Sequence, residues 1–438
     1  MGLGILGGGV NTAKWLVKNG AKLTITDLKT SDKLKPSLAQ LKHYGKKISY
    51  TLGRHKEKDV EFNEIIVVNP DVPLTSPFLK LARDLGKQIE NELTLFYKFS
   101  PSKKIIAVTG TRGKTTTANW IGHLLKTKYS GVKVAGNSPD NPLLAAISSI
   151  KKDALVVIEA PSFLLEHVKI NNFRPQIAVI TNLFPDHLNR YENIKYYAAT
   201  KANVFLNQGK GDILIIGCNR KWRNFFLTPK PHPRVADPLS RKEVSKYINV
   251  REFVKKWGRH NLANFQVAVA VAQNFGIMED LIRKAAGSLP QIKFRQELVF
   301  NGSNLKIYND TSATSPEAAM AAIDRFTGAG NLVLIAGGTD RNLEFRPLAE
   351  KIREKIKKEN LILLEGSATL KLAKELGWEG NVTLPSLADC FERALKIARG
   401  CKGVSTILFS PGAKSFEKFK NEFDRGNQFN DLVKKMKK

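Results

Sequence analysis

The sequence predicts an α/β protein built from three consecutive domains. Three stretches carry that prediction. Residues 2–9, GLGILGGG, form a glycine turn that a helix and an acid-ended strand follow. Residues 105–120, IIAVTGTRGKTTTANW, read as strand, glycine loop and helix. From about residue 289 onward, short apolar runs alternate with helical patterns, and the runs end in polar clusters. Alternation of this kind builds parallel sheets flanked by helices. The expected divisions are residues 1–100, 101–289 and 290–438. They correspond to a Rossmann-like domain, a P-loop-type domain and a second Rossmann-like domain.

Bulk properties agree with a folded, multidomain chain. At 438 residues it is too long for one typical core. No apolar run approaches the roughly 18 residues of a membrane span, so no membrane insertion is expected. The N-terminus lacks the basic region and apolar core of a secretory signal. Cys218, Cys390 and Cys401 are far apart and fit neither zinc nor disulfide spacing. A cytoplasmic protein is the expectation. The net charge of +30 is large. Its lysines are spread along the chain, as in KIREKIKK and LVKKMKK, with no arginine–aromatic platform. They read as solvated helix faces rather than a nucleic-acid footprint, although a basic surface would attract nucleotides.

In the first division, Gly2-x-Gly4-x-x-Gly7 precedes a helix over Thr12–Asn19 and a strand over Lys22–Thr26 that ends at Asp27. The pattern is Rossmann-type but weak alone, because only Met1 stands where the first strand should precede the glycines. Either that strand is truncated or the start is misassigned. Lys47–Thr51, Glu64–Val68 and Gln88–Glu90 read as further strands. The loop after the second of these begins at Asn69, on the side where open parallel sheets bind ligands. Leu79–Leu85 reads as a helix and Tyr97–Lys103 as a linker.

The second division starts at the strongest signal. Gly110-Thr111-Arg112-Gly113-Lys114-Thr115-Thr116 lies between a β-branched run and a helix. Its glycines let backbone N–H groups face a polyphosphate, the helix start adds positive potential, Lys114 reaches outer phosphates, and the Thr115 hydroxyl can ligate Mg²⁺. That makes this a P-loop-type ATPase domain with ATP and Mg²⁺ as cofactors. The run Ala154–Ile158 delivers Glu159 at a strand end, and Gln176–Thr181 leads to Asp186-His187. A carboxylate and a histidine at strand ends beside a phosphate loop suit Mg²⁺. Lys201, on a helix over Ile194–Leu206, reads by itself as a solvated lysine. Gly258–Asn264 opens a long alanine-rich helix whose early Asn261 and Asn264 suit capping or ligand contact.

In the third division, Leu305–Tyr308 runs into Asn309-Asp310-Thr311, Leu332–Ala336 into Gly337-Gly338-Thr339-Asp340-Arg341, and Ser405–Phe409 into Ser410-Pro411-Gly412. Leu361–Glu365 and Val382–Leu384 read as further strands. Phe416, Phe419 and Phe423 fall at helical spacing and read as the core stripe of the last helix.

These motifs, in order, resemble the Mur ligases of peptidoglycan synthesis: the phosphate loop, Asp186-His187 after Thr181-Asn182, Arg259–Asn264, Asn309–Thr311, and Gly337-Gly338-x-Asp-Arg. The ending Ser410–Phe416 with Phe419–Gly426 looks like the branch that adds D-glutamate to UDP-N-acetylmuramoyl-L-alanine. The resemblance implies an ATP-dependent amide ligase acting through an acyl phosphate, with small-molecule substrates, two Mg²⁺ sites and a monomeric chain. It places ATP at Gly110, Thr111, Arg112, Gly113, Lys114, Thr115, Thr116, Asn264, Arg295 and Asp310. It gives Lys114, Glu159, His187 and Lys201 catalytic roles, with Thr115 and Glu159 on one metal and His187 on the second. Lys201, as a carbamate, would orient that second metal. The UDP-sugar falls at Gly4, Asp27, Lys29, Asn69 and Asn137. The incoming amino acid falls at Thr314, Arg341, Ser415 and Phe416. Arg112, Leu164, Phe294, Ser312 and Arg341 depart from the residues common in the family, and a guanidinium at 341 in place of an ammonium changes donor geometry. Two other classes address parts of the sequence. A nicotinamide-dependent oxidoreductase would use only the N-terminal glycines, and a nucleic-acid-stimulated ATPase would use the charge. A sister ligase with another amino acid or nucleotide precursor would keep every motif.

Overall fold

The computed structural model describes residues 1–5, 7–136, 142–168, 172–187, 190–228, 233–328, 330–378 and 382–436. By internal contacts the chain forms two compact units. One joins Met1–Val250 with Ala263–Leu289, and the other joins Arg251–Leu262 with Pro290–Lys438.

The first unit begins with two small parallel pairs. Strand β1 (Leu23–Asp27) pairs with β2 (Ile48–Leu52), and β3 (Ile65–Val67) pairs with β4 (Gln88–Glu90). The first residues of the chain run between the pairs. Gly2 N–H donates to Thr26 O at 2.8 Å, the Met1 amino group to Val67 O at 2.9 Å, and Asn69 N–H to Met1 O at 3.0 Å. Met1 and Gly2 thus hydrogen-bond to both pairs, as the first strand of the Rossmann pattern would. The helix that follows spans Gly8–Lys18, four residues earlier than its apolar phasing suggested.

The central sheet has the order β10-β9-β8-β5-β7-β6, all parallel. Its members are β5 (Ile105–Thr109), β6 (Val132–Ala135), β7 (Leu155–Glu159), β8 (Ile177–Ile180), β9 (Ile213–Ile216) and β10 (Arg234–Ala236). Every residue of β5, β7 and β8 is buried, as expected of strands covered on both faces. A helix over Glu92–Phe99 precedes β5, with a capping box between Asn91 and Thr94. It occupies part of the expected linker 97–103, because Leu93, Leu95 and Phe96 bury into the central core.

In the second unit the order is β11-β12-β16-β13-β14-β15. The strands are β11 (Glu297–Asn301), β12 (Leu305–Asn309), β13 (Asn331–Gly337), β14 (Leu361–Leu364), β15 (Val382–Leu384) and β16 (Ser405–Phe409). Only β11 runs antiparallel, as a bulged hairpin with β12. The last helix is Glu422–Met436, and its buried residues are Arg425, Gly426, Phe429 and Val433. The expected Phe416–Phe419–Phe423 stripe is therefore corrected. Phe416 and Phe419 precede the helix, and the real stripe begins one turn later.

Candidate functional site

The carboxyl ends of β5, β7 and β8, three adjacent strands, meet at the phosphate loop. The loop is strapped to the end of β8 from several sides. Arg112 N–H donates to Asn182 Oδ1 at 2.9 Å, while Asn182 Nδ2 and Thr181 Oγ1 donate to Arg112 O at 3.0 and 2.6 Å. Thr111 N–H donates to Asn182 O at 3.0 Å, and the Thr111 hydroxyl donates to Phe184 O at 3.2 Å. Arg112 also lies over the Phe184 ring, 5.5 Å from its centre. Two glycines are required. Gly110 has φ +138° and Gly113 has φ +80°, and a Cβ at either would collide with Thr181 Oγ1 or Asn264 Oδ1. The loop backbone and Asn264 are thus in direct contact.

Lys114 opens the helix Lys114–Leu125. Its ammonium donates to Gly110 O at 3.1 Å and Thr111 O at 2.9 Å, which holds the charge over the loop. The Thr115 hydroxyl donates to Glu159 Oε2 at 3.0 Å. These two hard oxygens suit a Mg²⁺ that keeps much of its own water.

Lys201 is 1 % exposed on the helix Ile194–Ala202. Its Nζ donates to Gly110 O at 2.9 Å and lies 4.3 Å from the centre of the Tyr197 ring. Burial, and then the nearby Lys114 charge, hold its amine well below the usual lysine range. The His187 ring lies 6.2 Å, centre to centre, from the same Tyr197 ring. His187 has φ +55° and lies 3.8 Å from the Asp186 carboxylate, with both side chains about two-fifths exposed. Among the described residues, no group of three or more His, Cys, Asp or Glu side chains could hold a metal.

In the N-terminal part, Gly4 N–H donates to Asp27 Oδ2 at 2.9 Å and Lys29 N–H to Asp27 Oδ1 at 2.8 Å. Asp27 thus uses both oxygens to hold the glycine turn and the Lys29 backbone together. Asn69 follows β3 beside that turn. Asn137 lies outside the described residues.

In the second unit, the ends of the adjacent strands β12, β16 and β13 carry the polar clusters. Asp310 accepts from Gln296 N–H at 3.0 Å and Ser410 Oγ at 2.8 Å. Burial pushes its carboxyl up to about 7 against those bonds and the nearby Arg295. Thr339 and Lys414 exchange backbone hydrogen bonds of 2.8 and 3.1 Å. That bridge brings Arg341 to 4.7 Å from the Phe416 ring centre, and Lys414 Nζ reaches Thr314 Oγ1 at 3.2 Å. Ser415, 2 % exposed, has a side-chain oxygen with no hydrogen-bond partner. It lines a hollow with Gly338, Thr339, Glu365 and Lys418. A buried unbonded hydroxyl costs stability unless a ligand uses it.

Residues 108–236 match the Mur ligase middle domain. A UDP-N-acetylmuramoylalanine–D-glutamate ligase of Roseiflexus is 36% identical, covering 99% of this chain and 97% of the relative. This chain belongs to the Mur ligase family. Ligases of the same name from Borreliella burgdorferi and Clostridioides difficile are 34% and 31% identical, again over 99% of this chain and 96% and 98% of those relatives. Solved Mur ligases share the fold at lower identity. A UDP-N-acetylmuramate–alanine ligase of Thermotoga maritima has a TM-score of 0.60 at 17% identity, over 99% of this chain and 98% of that one. The MurF ligase of the same organism, solved with ADP, has a TM-score of 0.57 at 16%, over 87% and 97%.

Sequence reasoning alone did not assign parts of this Mur ligase site. Thr181 and Asn182 were visible after β8, but not as the loop's straps. Tyr197 had only its position, four residues before Lys201, to mark it. Leu164, one of the departures, is 1 % exposed in the central core, where its carbonyl accepts from Asn91 Nδ2 at 2.8 Å. Phe294 has φ +66° and packs on Phe423 with ring centres 6.2 Å apart.

Proposed function

We propose that the protein is an ATP-dependent amide ligase that joins D-glutamate to UDP-N-acetylmuramoyl-L-alanine, in the cytoplasm and as a monomer. The relatives named for this reaction span nearly the whole chain. The observation that carries the reading is the strapped phosphate loop with the Thr115–Glu159 pair beside it.

A carboxylate oxygen of the L-alanyl group attacks the γ-phosphorus of ATP, and ADP leaves. The D-glutamate amine then attacks the acyl carbon and loses a proton. Phosphate departs with the original carboxylate oxygen, leaving an amide. Such chemistry needs placement and charge neutralisation more than covalent help. Lys114 and the N–H groups of Gly113, Thr115 and Thr116 hold the outer phosphates. Arg112 and Asn264 border them, and Arg295 and Asp310 are the further residues assigned to ATP. Thr115 and Glu159 would hold one Mg²⁺ and His187 a second, which supply positive charge at the phosphates. The buried, readily deprotonated Lys201 amine is suited to become a carbamate that completes the second set. Gly4, Asp27, Lys29, Asn69 and Asn137 serve the UDP-sugar, and Thr314, Arg341, Ser415 and Phe416 the amino acid. The partner-free Ser415 hydroxyl supports the last assignment, because a substrate carboxylate would satisfy it. In this reading residues 1–100 hold the nucleotide sugar, 101–289 the ATP and 290–438 the amino acid. Nucleic acid has no part.

Substrate labelled with ¹⁸O in the L-alanyl carboxylate tests the acyl phosphate. One label should appear in each released phosphate. Unlabelled phosphate would overturn the mechanism.

A further inference from the structure

We propose that Arg190 is a positioning residue for the nucleotide sugar, because it clamps the Asn69–Val72 turn onto Glu166. Its guanidinium grips Glu166 bidentately, Nε to Oε1 at 2.7 Å and Nη2 to Oε2 at 2.6 Å. The Tyr191 hydroxyl donates to Oε1 at 2.8 Å. The Glu166 side chain is 1 % exposed, so the fork is fixed in place. The donors left over point at backbone. Nη1 donates to Pro70 O at 2.5 Å and Nη2 to Val72 O at 3.3 Å.

That turn is tied in turn to the start of the chain. Val72 N–H donates to Asn69 O, and Asn69 N–H to Met1 O, each at 3.0 Å. The same start reaches Thr26 through Gly2 N–H, and Gly4 N–H rests on Asp27. One guanidinium therefore connects the region of Glu166, Tyr191 and His187 to the turn that carries Asn69. Burying a charged pair gives little net stability over an apolar pair of the same size. What Arg190 adds is direction, since a planar fork with two donors committed aims the others at fixed angles. Lysine cannot reproduce that.

This inference rests on the assignment of Asn69 and Asp27 to the nucleotide sugar. Its test uses the full chain with Arg190→Lys and Glu166→Gln. Both should raise KM for UDP-N-acetylmuramoyl-L-alanine, the first at least tenfold, with KM for ATP and for D-glutamate within twofold of wild type. Hydrogen exchange should quicken in peptides covering residues 66–76 and stay unchanged in peptides covering 105–125. A nucleotide-sugar KM that does not move, KM values that rise together, or unchanged exchange at 66–76 would overturn the clamp. Glu166→Gln keeps the shape of the pair, so it decides the matter if Arg190→Lys folds poorly. A wild-type chain that turns over none of these substrates would overturn the functional reading instead, and the exchange comparison would still judge the clamp.

Discussion

Gly113→Ala should damage the site in two separable ways. The left-handed backbone at φ +80° costs a side-chain-bearing residue about 1–2 kcal/mol. The new Cβ would also collide with Asn264 Oδ1 and sit 3.0 Å from its Cγ and Nδ2. Asn264 is 5 % exposed, so its buried amide must swing away from a packed position. Leaving one buried polar group unsatisfied costs about 1–3 kcal/mol. The single variant should therefore lose about 2–5 kcal/mol in urea unfolding and bind ATP at least tenfold more weakly by calorimetry. In Gly113→Ala/Asn264→Ala the collision disappears and only the backbone strain is added to the loss of Asn264. The double variant should be more stable than the sum of the singles implies, by about 1–2 kcal/mol. Additive losses, or a Gly113→Ala protein within about 0.5 kcal/mol of wild type, would refute the contact between loop and Asn264.

Three further outcomes follow from the buried polar groups. Asp310, like Glu92, is pushed up to about 7 by burial. From the ordinary carboxyl range up to about 7 the folded chain keeps protons that the unfolded chain has released, so these groups make stability fall as pH rises through that window. Asp310→Asn should flatten that slope in unfolding measured across it, and an unchanged slope would contradict the burial argument. Ser415→Ala should leave the melting temperature unchanged or slightly raised, since it removes a hydroxyl with no partner, yet raise KM for D-glutamate about tenfold or more. A fall in stability with unchanged KM would remove Ser415 from the site. Arg425 is fully buried and donates to Thr311 Oγ1 at 2.9 Å, Thr311 O at 2.9 Å, and the carbonyls of Ala413 and Lys414 at 3.1 Å each. Arg425→Met strands those acceptors and should cost about 3–5 kcal/mol, seen as early unfolding in a urea titration. A loss below about 1 kcal/mol would show that the two loops hold each other without it.

What the sequence shows plainly is local chemistry. The phosphate loop needs glycines, an ammonium and a hydroxyl within seven residues, and nothing distant alters that. The strand-end carboxylates and the histidine were legible for the same reason. The helix over Glu92–Phe99 was hidden because Tyr97–Lys103 contains serines and a proline. Its signal, an Asn91–Thr94 cap before Leu93, Leu95 and Phe96, lay just upstream. The phenylalanines at 416, 419 and 423 imitate a helical stripe, but the chain turns until Glu422 so that Ser415 and Phe416 can meet Thr339 and Arg341. Arg190 and Arg425 were illegible in principle. Their partners are mostly backbone carbonyls, 118 and 120 positions away for Arg190 and 114 for one bond of Arg425. A carbonyl has no sequence signature. Lys201 is the intermediate case, because its residue type was visible but its burial against Gly110 and Tyr197 was not.

The most direct test is phosphate release from ATP and Mg²⁺ with UDP-N-acetylmuramoyl-L-alanine and one amino acid at a time. The panel is D-glutamate, L-glutamate, D-aspartate, L-alanine, L-lysine and meso-diaminopimelate, with Lys114→Ala as control. Release with D-glutamate alone, absent in the control, is the predicted result. Release with a different amino acid would contradict the assignment of Thr314, Arg341, Ser415 and Phe416 to D-glutamate. Release with none of them would contradict the ligase reading itself.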